Sequence, residues 1–139
     1  MNGGYVTFRL GERVYAAALP AVREIVRLAD LEELPGMEPP LVGVLDLRGN
    51  ALPVLDGRPA PTDGPRRGDV LVLEAVSGAD AVGVVVDRVV SVLDEAELKR
   101  GPVSAPLASL PPYVVDVLHG PAGQVFMVDL RRIYRLVPA

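Results

Sequence analysis

Glycine and proline cut this chain into pieces too short for long helices: fourteen of each stand among 139 residues, and each interrupts or ends a helical run. The apolar segments between them are rich in valine, whose branched Cβ stiffens the side chain and favours extended backbone. A mainly β fold of many short strands with short helical turns is therefore expected. Half of the residues are hydrophobic but only 4% are aromatic, with no Trp. A core must be assembled from Val, Leu, Ile and Ala.

Alternation places the strands. In Tyr5 to Leu10, Val6, Phe8 and Leu10 face one way and Tyr5, Thr7 and Arg9 the other, as in a half-buried strand. Gly11-Glu12-Arg13 turns the chain and Val14 to Ala18 returns. Leu19, Val22 and Ile25 then recur at helical spacing behind Pro20, which predicts one or two helical turns before an extended Val26 to Leu28. Leu41 to Leu47 and Ala51 to Leu55 form a hairpin, with Gly49-Asn50 as its tight-turn pair. Residues 57–68 carry almost nothing to bury and mark the approximate division of the chain. Asp69 to Val76 and Ala81 to Val86 make a further hairpin, followed by an extended Val89 to Leu93 and a short acidic turn near Asp94 to Lys99. Tyr113 to Leu118 and Gln124 to Val128 make the last hairpin, closed by His119 to Gly123. Asp129 is placed to cap a terminal helix over 130–137. The two halves repeat one order, a hairpin, a charged valine-rich segment, a long loop and a hairpin ending in Asp (Asp56, Asp129). A duplicated small barrel is expected.

Charge and composition narrow the function. At a net charge of −4 the chain repels phosphate backbones, which argues against nucleic acid as partner. Without cysteine there are no disulfides, thiolate metal sites or cysteine nucleophiles. No basic and apolar leader opens the chain and no apolar run approaches a membrane span, so a cytoplasmic protein is expected. Nucleophile elbows, phosphate loops and dinucleotide fingerprints are missing, and nothing calls for a metal or cofactor. His119, in a Gly-Pro turn, is expected to be solvated; a triad of Ser77, His119 and an Asp has no local support. Asp46, Asp56, Asp87, Asp116 and Asp129 all border apolar runs. They either cap strand ends by accepting backbone N–H bonds or, if two converge, act as an acid–base pair in a hydrolase.

Arg48 and Glu24 stand out as charges framed by apolar residues. Arg48 sits at the tip of an apolar hairpin, where it either solubilises the turn or presents a guanidinium to a partner's carboxylate. Glu24, among Val22, Ile25 and Val26, is either an interface anchor or an ordinary strand-edge residue.

The segment Val42-Gly43-Val44-Leu45-Asp46-Leu47-Arg48-Gly49-Asn50-Ala51-Leu52-Pro53-Val54-Leu55-Asp56 resembles the signature hairpin of CheW-like chemotaxis coupling proteins. Phe8-Arg9-Leu10-Gly11 with Tyr15, Val22-Arg23-Glu24-Ile25, Leu34-Pro35-Gly36, Val82 to Val89 and Val128-Asp129-Leu130 follow the family's order, so the resemblance runs from about Tyr5 to Leu136. It implies a single domain over 1–139 made of two intertwined SH3-like five-stranded β-barrels. It also implies a non-catalytic scaffold that joins the cytoplasmic tips of methyl-accepting chemoreceptors to the regulatory domain of a CheA-type histidine kinase. A related role in a type IV pilus or other motility array fits the same resemblance. Carried over by position, Leu19, Val22, Glu24, Arg48 and Val92 would lie on or near the receptor-facing groove. Two departures stand beside the match: Gly57-Arg58-Pro59 follows Asp56, where the family continues with Leu-Arg, and Asp116 stands where Gly is common.

Overall fold

The alternating runs fold as ten short strands in a computed structural model that describes residues 4–28, 31–33, 35–36, 41–56, 68–73, 81–101, 110–129 and 132. They are β1 (Tyr5–Leu10), β2 (Arg13–Ala18), β3 (Val22–Arg27), β4 (Leu41–Leu47), β5 (Asn50–Asp56), β6 (Asp69–Leu73), β7 (Val82–Val86), β8 (Arg88–Leu93), β9 (Val114–Gly120) and β10 (Gly123–Val128), with 3-10 turns at Leu19–Ala21 and Glu95–Glu97. The loop expected over 57–68, Gly68 excepted, the turn at Ser77 to Asp80 and the terminal helix, Arg132 excepted, lie outside the described residues.

Two five-stranded sheets result, ordered β8-β1-β2-β10-β9 and β3-β6-β7-β5-β4. The pairings of β1 to β5 recur in β6 to β10. The hairpins β1–β2 and β6–β7 are antiparallel, as are β4–β5 and β9–β10; β2 pairs parallel with β10, and β7 parallel with β5. Each sheet therefore takes its leading hairpin from one half of the chain and its other three strands from the other half. Even the irregularities match. Arg23 is skipped between the Val22–Leu73 and Glu24–Val72 pairs, and Val90 is skipped between Phe8–Val89 and Thr7–Ser91, so both β3 and β8 carry a one-residue bulge at the same register.

The sheets are not closed into barrels. Among the described residues no ladder joins edge strand β3 to β4 or β8 to β9. Single bridges, Glu32 with Val44 and Lys99 with His119, bring the segments after β3 and β8 onto β4 and β9. These bridges partly cover edges that would otherwise offer free backbone groups.

The main core lies between the sheets, where Val6, Phe8, Tyr15, Ala17 and Phe126 meet Leu55, Leu71, Leu73, Val84 and Val86. Phe8 stacks on Tyr15, which packs against Phe126. Each sheet buries a second cluster on its other face: Leu45, Leu52, Val54, Val70, Val72 and Val85 in one, and Ala16, Val125 and Met127 in the other. Strands β6 and β7 are thus buried on both sides, which is why they are nearly continuous apolar runs rather than alternating ones.

Three local expectations change. The helix expected after Pro20 is a single 3-10 turn, and Val22 onward is strand β3. The turn pair of the β4–β5 hairpin is Arg48-Gly49, since Leu47 pairs with Asn50. Both turn residues have positive φ, 51° and 88°, the requirement of a type I′ turn. His119 is not in the last turn; it is a strand residue paired with Gln124, and Pro121-Ala122 alone makes the connection.

Candidate protein-binding site

Arg48 is the one non-glycine with positive φ among the described residues, a backbone state that costs a branched or long side chain more than it costs glycine. Asp46 steadies the turn, its Oδ1 accepting the Gly49 N–H at 2.8 Å. The tip projects the Arg48 guanidinium toward β3, on the opposite edge of the same sheet. There Nη1 donates to Glu24 Oε1 at 3.0 Å and Nη2 to Oε2 at 2.6 Å, a two-pronged match of guanidinium and carboxylate. The Arg23 bulge makes this possible. Without it Val22 and Glu24 would share a face; with it Val22 stays against the main core while Glu24 turns to the other side.

The hydrogen bonds from Arg48 hold the Glu24 carboxyl below its usual range, and the same pairing raises Arg48 further above its own. The Arg48 side chain is 64% exposed, so water screens the attraction and the pair adds little to stability. What it supplies is orientation: the guanidinium is held in place, and its remaining N–H groups are left for a second acceptor.

The apolar members of the site converge on the chain's crossing from one sheet to the other. Leu19, 37% exposed, donates its N–H to the Gly4 carbonyl at 2.9 Å. Val92, 58% exposed, lies over Gly4: a side-chain carbon there would come 3.4 Å from Val92 Cγ1 and 2.9 Å from the Leu93 carbonyl oxygen. Gly4 thus lets Val92 of β8 approach the Leu19 turn. Val22, next along, is half-buried and anchors the turn to the core. Ile25 is the positional counterpart of Val92 in the other half and is 41% exposed; it was not singled out from the sequence, although a large apolar residue beside Glu24 was visible there.

Leu19 and Val22 thus lie at the sheet crossing, near Val92, while Glu24 and Arg48 meet at the hairpin tip on the other face of β3. The sequence suggests Arg48 and Glu24 each as an anchor for a partner; the structure shows that they engage one another.

The acidic residues are occupied elsewhere. Asp46 takes the Gly49 N–H, Asp87 the Gly11 N–H at 2.6 Å, and Asp69 the Val89 N–H at 2.7 Å. Asp116 receives both guanidinium nitrogens of Arg100, at 3.2 and 3.0 Å, and joins the segment after β8 to β9. Asp56, Asp129 and His119 have partners as well. Among the described residues no three His, Cys, Asp or Glu side chains gather as metal ligands, and no helix is long and apolar enough to cross a membrane. Ser77 lies outside the described residues.

The class of protein is thus a mainly β one of two interlocked sheets, with an oriented ion pair at one hairpin tip and exposed aliphatic residues at the sheet crossing. The chain belongs to the CheW-like domain family, whose model matches residues 4–138. Its fold is similar to that of the scaffolding protein TtCheW from Thermoanaerobacter tengcongensis, with a TM-score of 0.70 and 21% sequence identity over 94% of this chain and 86% of that one. No curated protein sequence matches. Family members are chemotaxis scaffolds rather than enzymes, and this chain shares their β-rich architecture.

Proposed function

We propose that this chain is a non-catalytic adaptor that couples the cytoplasmic tips of chemoreceptors to the regulatory domain of a CheA-type histidine kinase, within arrays at the cytoplasmic membrane face. The observation that carries this reading is the oriented Arg48–Glu24 pair, in a chain that also exposes Leu19 and Val92. Exposed aliphatic residues supply contact energy by leaving water. A guanidinium held in one orientation adds direction, since it donates best to a carboxylate or carbonyl oxygen placed in its plane.

Holding two partners at once raises the effective concentration of each for the other. A receptor shift felt at these residues then reaches the kinase through the two packed sheets. The test is titration calorimetry with the cytoplasmic fragment of a receptor from the same cell. Arg48→Ala is expected to keep the fold and weaken binding at least fivefold, with Val92→Ala weakening it as well. Unchanged affinity in both variants would overturn the assignment of these residues to the receptor.

A further inference from the structure

The pairing symmetry of the two sheets places Ser91 where Glu24 stands and Pro121-Ala122 where Arg48-Gly49 stands. Glu24 faces Val72 beside the Arg23 bulge and Ser91 faces Thr7 beside the Val90 bulge, while Arg48-Gly49 and Pro121-Ala122 are the two-residue tips of matching hairpins. In the β3–β4 sheet this position is closed by the ion pair. In the β8–β9 sheet it is an open hollow of about 180 Å³, lined by residues including Thr7, Arg9, Val14, Ser91, Pro121 and Val125.

Arg9 lines the hollow, and among the described residues no carboxylate pairs with it. Arg9 Nε is buried with no hydrogen-bond partner. Its Nη1 reaches only the Glu12 carbonyl, at a long 3.5 Å. Ser91, in Glu24's place, turns its hydroxyl to Thr7 at 2.8 Å. The Nη end of Arg9 is exposed, so a carboxylate from outside would meet a guanidinium that no described acid engages. Most of the wall is aliphatic, so the complementary ligand joins an apolar group to an acid. The hollow is smaller than the roughly 300–1,000 Å³ of small-molecule sites, and it opens beside Val90, which is 44% exposed. One large side chain of a bigger body suits it better than a free metabolite.

We propose that this hollow is a second, independent anchor point that receives an apolar side chain with a neighbouring Asp or Glu from a partner protein. It lies in the other sheet from the Glu24–Arg48 pair and does not depend on the receptor assignment. The test is an NMR titration of the full ¹⁵N-labelled chain with acetyl-Phe-Asp-amide, acetyl-Phe-Asn-amide and phenylacetate. Saturable shifts at Thr7, Ser91 and Gly123 with the Asp peptide are expected, at least fivefold tighter than with the Asn peptide. Arg9→Met, which keeps the aliphatic stem, should abolish that preference. Ala122→Phe, on the exposed turn, should lower binding of both peptides without touching the Arg9 side chain. Equal affinity for the two peptides, no saturable shift at these residues, a preference that survives Arg9→Met, or binding of phenylacetate but not of the Asp peptide would each overturn the proposal.

Discussion

Replacing Leu71 by alanine tests whether the two sheets share one core. Leu71 is fully buried on β6, where it pairs with Ile25 and Val84, and its side chain belongs to the cluster that includes Val6, Phe8 and Phe126 of the opposite sheet. The change deletes three carbons. Their return to water costs about 2 kcal/mol, and a remaining void of roughly 60 Å³ adds about 1.5 kcal/mol at about 24 cal/mol per Å³. Ladders on both sides of β6 limit collapse into the space, so a loss of about 3.5 kcal/mol is expected. That is a large part of the roughly 5–15 kcal/mol that stabilises a domain. Urea unfolding followed by circular dichroism should show a lower midpoint, an unchanged slope and a single transition; by heat, the midpoint should fall by about 10 °C. Val92→Ala, at an exposed site, should shift stability by less than about 0.5 kcal/mol. A loss under about 1.5 kcal/mol for Leu71→Ala, or two separate transitions, would refute the shared core.

Three further outcomes are expected. Because Arg48 holds the Glu24 carboxyl below its usual range, the pair is intact above that range and is lost as pH falls through the lowered value; a carboxyl ¹³C titration should show Glu24 titrating more acidic than free glutamate, and Arg48→Ala should return it to normal. Burial, with Tyr15 and Asp56 nearby, pushes the Tyr113 hydroxyl from 10.0 up to about 12. Its folded form therefore keeps full stability below pH 10 and loses it as pH rises from 10 toward 12, and Tyr113→Phe should flatten that part of the stability profile. Gly43→Ala would set a carbon 2.5 Å from Leu31 Cγ and 2.8 Å from the Glu32 carbonyl oxygen. It should cost roughly 1–3 kcal/mol and speed hydrogen exchange at the Val44 N–H, which bonds that oxygen.

The strands were legible in the sequence because alternation is a local signal. Val6, Phe8 and Leu10 face the core as their spacing implies. The helix expected from Leu19, Val22 and Ile25 shows how such a signal misleads. Val22 and Ile25 pair with Leu73 and Leu71, neighbours on one face, and they stand three apart only because the bulge at Arg23 inserts a residue. A bulge in a strand thus imitates helical spacing, and Val89 and Val92 repeat the pattern. The exchange of hairpins between sheets is implied by the family resemblance but not by the residue pattern, since β1 and β6 are both short apolar strands and either could pair with β3 or β8 on pattern alone. The Glu24–Arg48 contact joins residues on opposite edges of a sheet, and only the curl of that sheet brings them together. His119 was misplaced because Gly120-Pro121 suggested a wider turn than the two residues the strands need.

The most direct test of the adaptor reading is analytical ultracentrifugation of the chain mixed with a receptor cytoplasmic fragment and the kinase regulatory domain from the same cell. A ternary complex that forms only when the chain is present is expected, with Arg48→Ala releasing the receptor fragment while the kinase domain stays bound. If the chain sediments alone in the presence of both partners, it is not the coupler proposed here.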